Sequence, residues 1–332
     1  MAAALAVGSS SGGCAFLDET PAASNAGHQV RDRPDDHDLA GLIPQGVQTV
    51  IDVDMAQLRR SPWVTPALEA RDQRVRAAKA EALGYDDVAD VDHVIYAVTA
   101  AGAAAPTLVI GQGRFDGARI QEAFRARWPG AKQEQQRGIT MMISGENAMA
   151  LLTVRTFVSG APPMVRSVID RAFGVGWDVA ADPLLGPTRR ALCPEGDAPR
   201  PALLAVVAMD DKLRARIGDA ASVPPQLHQV GVRLDLGGGL EGKALGILDD
   251  RASAQTLARR LDRLLSDTMT RLTLRAMGLG MLLAGTTVVV DGARVLVRLS
   301  VAEEHRSALS ALLKTVVASS SASSGAGSFG SW

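Results

Sequence analysis

The segment that most suggests a bound nucleotide is the glycine-rich run Gly237-Gly238-Gly239-Leu240-Glu241-Gly242-Lys243. It matches the spacing G-x-G-x-x-G and the first part of a phosphate-binding P-loop. Ala244 stands where a P-loop needs Ser or Thr to reach the metal, and 244–248 is predicted to be a strand, whereas both motifs need the N-terminus of a helix at the phosphates. We therefore interpret the run as a hairpin loop whose glycines supply positive φ, and we predict no bound cofactor.

His93 and His228 hint at a shared site, because they begin corresponding predicted strands in the two halves of the chain. The simpler interpretation is that both stand at exposed strand ends. The sequence has no Ser in a G-x-S-x-G elbow and no H-E-x-x-H pair. A triad assembled from distant residues stays open, because triads are defined by geometry. These patterns predict no catalytic residue.

Two acidic clusters contain donors for a metal ion. Asp86, Asp87, Asp90 and Asp92 lie close together, but they lack the glycine and the bidentate glutamate of a calcium loop. Residues 32–38 place one histidine among several aspartates in a segment with too few apolar residues to fold. We interpret the first cluster as a solvated helix exit and the second as part of a solvated spacer, so no metal site is predicted.

Cys14 has the most informative surroundings. The short apolar run Ala2–Val7 is followed by small residues and then by Cys14, a pattern typical of a secretory signal that ends at a cleavage site. Ser11-Gly12-Gly13-Cys14 resembles the lipobox of bacterial lipoproteins, which implies that Cys14 carries a lipid and becomes the mature N-terminus. Ser11 stands where an aliphatic residue is usual, and a flexible leader with an incidental cysteine is the alternative. Acylation of Cys14 would leave Cys193 without a partner in the chain.

The composition limits the class of protein. With 332 residues, 47% of them apolar, the chain can bury one large core or two of ordinary size. Only 4% of the residues are aromatic, so the core must consist mainly of Ala, Val, Leu and Ile. The 35 basic residues nearly cancel the 36 acidic ones, which gives no net field that favours nucleic acid as a partner. After the N-terminus, no apolar run approaches the ~20 residues of a membrane helix.

The order of predicted elements repeats in the two halves of the chain. In the first half the patterns predict strands at Thr49–Val53, His93–Thr99, Thr107–Ile110, Ile139–Ile143 and Met149–Val154, and helices at Ala56–Leu83 (broken near Pro62–Pro66), at Ala118–Arg127 after the N-cap Asp116, and after Pro162-Pro163. In the second half they predict strands at Leu203–Met209, His228–Leu236, Lys243–Leu248, Thr287–Val290 and Arg294–Ser300, and helices around Leu213, at Ala252–Ala276 after Asp250, and at Glu303–Val317. Leu257, Leu261, Leu264, Leu265 and Leu272 are predicted to form the core stripe of the Ala252–Ala276 helix.

These elements predict an α+β protein with two similar lobes, each a mainly antiparallel sheet with helices packed on it. The predicted domain order is a leader at 1–14, a disordered tether at 15–40, the first lobe at 41–173, a linker at 174–201, the second lobe at 202–317 and a disordered Ser/Gly/Ala tail at 318–332.

The leader, the Ala/Arg-rich composition and the order of elements together resemble uncharacterised predicted lipoproteins of high-GC Gram-negative bacteria. The resemblance implies a place in the cell envelope, in the periplasm or on the periplasmic side of the outer membrane, and no activity. We expect a membrane-anchored protein with a binding or assembly role and an envelope protein as a possible partner. Two alternatives stay open. One is a carrier that encloses an apolar ligand in a Leu/Val-lined cavity, and the other is an enzyme of unrecognised type that uses the cleft between the lobes.

Overall fold

The computed structural model of the protein describes residues 39–99, 107–174, 182, 184–194, 200–217, 223–276 and 280–324, and all of them belong to one compact unit. The strands are β1 (Thr49–Asp54), β2 (Val91–Val98), β3 (Thr107–Gly113), β4 (Lys132–Gln136), β5 (Ile139–Ser144), β6 (Asn147–Thr153), β7 (Thr156–Gly160), β8 (Leu203–Ala208), β9 (Leu227–Asp235), β10 (Leu240–Leu248), β11 (Thr286–Asp291) and β12 (Arg294–Val301). The helices are α1 (Met55–Arg60), α2 (Thr65–Glu69), α3 (Gln73–Leu83), α4 (Gly117–Arg127), α5 (Pro162–Ala172), α6 (Gly186–Leu192), α7 (Asp211–Ile217), α8 (Arg251–Ser266), α9 (Thr268–Ala276), α10 (Gly280–Ala284) and α11 (Arg306–Ser324), with short 3₁₀ helices at Leu39–Leu42 and Glu303–His305.

The strands form one twelve-stranded sheet in the order β11-β12-β10-β9-β8-β1-β2-β3-β7-β6-β5-β4, and every neighbouring pair is antiparallel. Helices pack on both faces of this sheet. The predicted α+β class, with a mainly antiparallel sheet, is confirmed.

The two halves of the chain meet in the middle of the sheet, where β1 pairs with β8 and Ile51 lies opposite Ala205. From this pair the first half continues outward as β2, β3, β7 and β6, and the second half as β9, β10, β12 and β11. Each half thus adds its last hairpin in the same way, and the first half carries the extra strands β5 and β4 beyond β6. The halves share one sheet instead of forming one each, because the edge of β1 hydrogen-bonds to the edge of β8. The predicted lobe boundaries remain predictions.

Side chains alternate between the two faces of each strand, which creates two cores. We call one side the α5 face; it carries Val50, Ile95, Ile110 and Leu204 and is covered by the 3₁₀ helix Leu39–Leu42, α5 and α6. The opposite side, which we call the α8 face, carries Val94, Val109 and Phe157 in the first half, where α3 and α4 lie over it. In the second half α8 covers it against β10, β11 and β12.

Local polar signals explain where several helices begin. The Asp116 carboxylate accepts hydrogen bonds from the backbone N–H groups of Ala118 and Arg119, and the Asp250 carboxylate accepts one from Ser253, so both predicted N-caps are confirmed. Pro162 and Pro163 open α5, where a missing N–H costs nothing. Gly145 and Gly292 adopt positive φ in the tight turns that close the hairpins β5–β6 and β11–β12.

Several of the sequence predictions are wrong or incomplete. The single helix predicted for Ala252–Ala276 is two helices, because Asp267 is extended and its carboxylate caps α9 by accepting a hydrogen bond from Thr270 N. Leu257 and Leu261 pack into the core, but Leu264 near the end of α8 is 52% exposed and Leu272 in α9 is 54% exposed, so the predicted core stripe holds only in the first part of α8. Helix α11 continues to Ser324, into the segment predicted to be disordered, and strands β4 and β7 were not predicted.

Candidate binding cavity

A cavity of about 80 Å³ lies between the α8 face of the sheet and the helix pair α3–α4. Five aromatic side chains line it: Tyr85, Tyr96, Phe124, Trp128 and Phe157. Both tyrosines of the chain are among them, in a protein with only 4% aromatic residues. The sparse aromatic residues are therefore concentrated around this one space, and this concentration is the signal that sequence reasoning missed.

The two helices that cover the cavity, α3 and α4, differ in how deeply their side chains are buried. Helix α4 buries Ile120 and Phe124 against the sheet, whereas α3 buries none of its own side chains. Gly84 ends α3 with φ of +78°, and an added Cβ there would come within 2.6 Å of Arg119 O. This close approach, possible only for glycine, brings Tyr85 under α4.

The aromatic rings support one another at contact distance. The Tyr85 ring lies 5.5 Å from Phe115 and 5.0 Å from Phe157, and the Phe115 and Phe157 rings are 5.1 Å apart with an interplanar angle of 80°. The Phe124 and Trp128 rings are 4.4 Å apart. Such tilted and edge-to-face contacts are favourable arrangements of aromatic quadrupoles, so the rings stabilise one another around the cavity.

Charged residues stand at the rim. Lys79 Nζ lies 2.8 Å from Asp87 Oδ2, and Arg71 Nη1 lies 3.6 Å from the same oxygen. The Arg127 guanidinium carbon sits 4.7 Å from the ring centre of Trp128, within range of a cation–π contact. Lys79, Asp87 and Arg127 also line the cavity, together with the polar Thr107 and Ser159, and the rest of the lining is mainly apolar.

The tyrosine hydroxyls add no charge to the cavity near neutral pH. Burial, with smaller contributions from Tyr96 and Asp87, raises the pKa of Tyr85 far above its usual value. Burial, followed by the negative charge of Asp87, also raises the pKa of Tyr96. Both side chains are therefore neutral phenols, which suits an uncharged, apolar occupant.

A surface groove of about 490 Å³ runs along the outside of the same helix pair. It is lined by Ala78, Glu81, Ala82, Ala123, Ala126 and Arg127. Ala82 and Arg127 line both the groove and the cavity. The cavity alone is below the roughly 300–1,000 Å³ of pockets for whole drug-sized ligands, and also below the ~150 Å³ of an engineered cavity that holds benzene. Its size fits a small apolar group, such as the end of an alkyl chain, with the remainder of the molecule in the groove.

A buried polar cluster lies near the centre of the sheet, on the α5 face. His93 Nε2 is 2.6 Å from Asp52 Oδ1, and Arg200 Nη1 is 3.0 Å from His93 Nδ1. Because arginine can only donate, Nδ1 must accept, and Nε2 then carries the proton that it donates to Asp52. Burial would raise the pKa of Asp52, but the hydrogen bond from His93 and the charges of Arg200 and Arg189 outweigh it and hold that pKa below its usual range.

The two histidines of the hypothetical shared site do not meet. His93 is buried on the α5 face, so its predicted position at an exposed strand end is wrong. His228 is about half exposed and contacts Asp249, as expected of a strand end. The physical reason is the strand register. Thr49 of β1 pairs with Val98 of β2, and its equivalent Leu203 of β8 pairs with Leu234 of β9. Val98 therefore corresponds to Leu234, and by the same offset His93 corresponds to Gln229 and not to His228. A shift of one residue places a side chain on the opposite face.

The four aspartates at 86–92 are held by bases and main-chain groups. Asp86 pairs with Arg76, Asp87 with Lys79, and Asp92 with Arg59, while Asp90 accepts a hydrogen bond from the N–H of Asp86. Within the part of the chain that the structure describes, no three His, Cys, Asp or Glu side chains are grouped so as to hold a metal ion. Residues 32–38 lie outside the described residues.

The glycine-rich run does form the connection between two strands, as predicted. Residues 236–239 join β9 to β10, and Lys243 lies within β10, so no helix N-terminus follows the glycines. The predicted positive φ is wrong, because Gly237, Gly238 and Gly239 all lie outside the left-handed region. Without an adjacent helix, the backbone lacks the geometry of a phosphate-binding loop.

The predicted lipid-bearing residue, Cys14, lies outside the described residues. Cys193 is a free, partly buried thiol at the end of α6. Its Sγ is 3.8 Å from Arg233 Nη1, and burial raises the pKa of the thiol. Among the described helices, none has the length and apolar character needed to cross a bilayer.

Comparison with known proteins supports the fold. No protein-family model matches the chain, and no curated protein matches it in sequence. Crystal form IV of TP0453 matches with a TM-score of 0.50 and 11% identity over 85% of this chain and 96% of that one. Crystal form III of TP0453 matches with a TM-score of 0.49 and 13% identity over 83% and 99% of the two chains. At this identity the likeness concerns the fold alone.

Proposed function

We propose that this chain is a binding protein of the cell envelope that takes a small apolar group into the cavity beneath α3 and α4. The observation that carries the proposal is the concentration of five aromatic rings around a space that touches an alanine-lined surface groove. Ligand sites are concave and mostly apolar, with few polar groups. The walls are aromatic, not the Leu/Val surface expected from the sequence for a carrier.

The polar groups near the cavity favour binding over catalysis. Lys79 and Asp87 neutralise each other, and the two tyrosines are neutral. The buried pair Asp52–His93 lies on the opposite face of the sheet, where its polar atoms bond to each other and to Arg200. A proton donor or acceptor in a catalytic site must reach the substrate, and this pair is enclosed by the core.

The cavity is tested with a series of linear alkanols from butanol to octanol, titrated calorimetrically. Each buried CH₂ contributes about 0.8 kcal/mol, so affinity should rise roughly fourfold per carbon until the cavity is full. Ala82→Trp, which places an indole where groove and cavity meet, should weaken binding at least tenfold. Ala77→Trp is the matched control, because Ala77 is an exposed alanine of the same helix that lines neither space. Equal affinities in the two variants, or no dependence on chain length, would exclude the cavity as the site.

The envelope location rests on the leader sequence and Cys14. We infer that Cys14 is acylated and that the residues after it serve as a spacer between membrane and domain. Expressed with its native leader in a Gram-negative host, the protein should partition into detergent and carry a diacylglycerol mass on an N-terminal cysteine. Cys14→Ser should move it to the soluble fraction, whereas Cys193→Ser should not. Membrane association that survives Cys14→Ser would refute the anchor.

A further inference from the structure

Strand β11 ends the sheet on the side of the second half. Among the described residues, no strand pairs with its outer edge. Strand β6 occupies the equivalent place in the first half, and there β5 pairs with that edge in antiparallel orientation. The second half thus presents an edge that the same architecture covers in the first half.

The register shows which main-chain groups face outward. The Gly285 carbonyl accepts a hydrogen bond from Ser300 N, and Thr287 lies opposite Arg298 in the same register. In an antiparallel pair the hydrogen-bonded positions alternate, so Thr287, Val289 and Asp291 exchange bonds with β12. The N–H and C=O groups of Val288 and Val290 then point away from the sheet.

The two edges of the sheet differ in protection. Strand β11 reads Thr-Thr-Val-Val-Val-Asp, with no proline or lysine, and its pairing with β12 has no bulge. The opposite edge, β4, reads Lys-Gln-Glu-Gln-Gln and is mostly exposed. Proteins guard edge strands against pairing with charges, prolines and bulges. Strand β4 is guarded with charge and polar side chains, and β11 is not.

We propose that β11 pairs with β11 of a second copy of this chain, antiparallel and centred on Val288, which joins two sheets into one. In this register Val288 of one chain lies opposite Val288 of the other, and Thr287 of one chain lies opposite Val289 of the other. Asp291 lies beyond the central pairs, so no like charges oppose each other. This self-complementarity of side chains favours a second copy as the occupant. A two-fold axis makes such a contact identical from both sides.

The proposed interface is only one strand long, and its small area limits the expected affinity of the dimer. One strand of six residues buries less than the ~1,200 Å² typical of stable complexes. We therefore expect a reversible dimer whose population rises with concentration. In sedimentation velocity of the full chain without lipid, from about 1 to 500 μM, the sedimentation coefficient should rise from the monomer value towards the dimer value. Hydrogen exchange at Val288 and Val290 should slow over the same range.

A proline at an outward-facing position separates pairing from folding. Val288→Pro removes an N–H that points to the second copy and leaves the bonds to β12 in place. It should abolish the dimer. Gln135→Pro is the matched control on β4. The two-residue turn Arg137-Gly138 makes Gln136 and Ile139 a hydrogen-bonded pair, and because such pairs alternate along the strands, the N–H of Gln135 faces outward. It should leave the dimer unchanged.

A charge swap tests the register and is independent of proline strain. Thr287 and Val289 have exposed side chains, so Lys at both positions should preserve the fold while opposing like charges across the axis. That double variant should be monomeric, and mixing it with the double Glu variant should restore a heterodimer. A chain that stays monomeric at all concentrations overturns the proposal. So does slow exchange at Val288 in the monomer, which would mean that a segment of the same chain covers the edge.

Discussion

Removing the carboxylate of Asp52 should be among the most damaging single changes in this protein. Its side chain is 7% exposed and accepts the hydrogen bond from His93 Nε2, while Arg189 Nη2 lies 3.9 Å from its other oxygen. In Asp52→Ala, the buried Nε2–H of His93 loses its acceptor and the partly buried Arg189 loses a nearby carboxylate. Leaving a buried donor without a partner costs about 1–3 kcal/mol.

An exposed Asp–Arg ion pair serves as the control that shows how much burial adds to the cost of removing a carboxylate. Asp170 and Arg137 form an ion pair with side chains 37% and 41% exposed. Asp170→Ala should cost at most about 1 kcal/mol, since water screens such pairs. The loss of stability in Asp52→Asn should fall between the losses in Asp170→Ala and Asp52→Ala, because the amide oxygen still accepts a hydrogen bond from His93 while the charge is lost.

Urea denaturation followed by tryptophan fluorescence measures these differences, since Trp63 is fully buried. The midpoint should fall with an unchanged slope if only stability is affected. A loss below about 1 kcal/mol in Asp52→Ala would refute the reasoning. It would mean that water or a shifted side chain replaces the carboxylate and that the cluster is not a tightly coupled network.

Two further predictions follow from the same contacts. Because the folded-state pKa of Asp52 lies below its ordinary value of 3.8, its contribution is fully present above that pH and is lost as the pH falls through the folded pKa; the difference in unfolding free energy between wild type and Asp52→Asn should therefore shrink when urea curves are repeated below pH 4. Gly111→Ala should cost about 1–3 kcal/mol by the same assay, because the new Cβ collides with the buried Phe157 ring, whereas Gly237→Ala, with open space around it, should be neutral or stabilising by about 0.4–1 kcal/mol. Equal effects of the two glycine substitutions would contradict the packing argument.

The sequence by itself determined the local features of the fold. Asp116 and Asp250 cap helices, Pro162 opens one, and Gly292 turns a hairpin, because each acts on backbone groups only a few residues away. Alternation and apolar runs located most strands for the same reason. Strand β4 was not predicted because its sequence is polar throughout. It forms a strand because it pairs with β5.

Tertiary structure alone decided the features on which function depends. The pairing of β1 with β8, the contact of His93 with Asp52, and the convergence of Tyr85 and Phe157 join residues far apart in the chain. A shift of one residue in register separated His93 from His228, although the sequence placed them alike. Such contacts depend on which strand edges and helix faces meet, and that choice is made by burial and hydrogen bonding over the whole sheet, since no local run of residues encodes it.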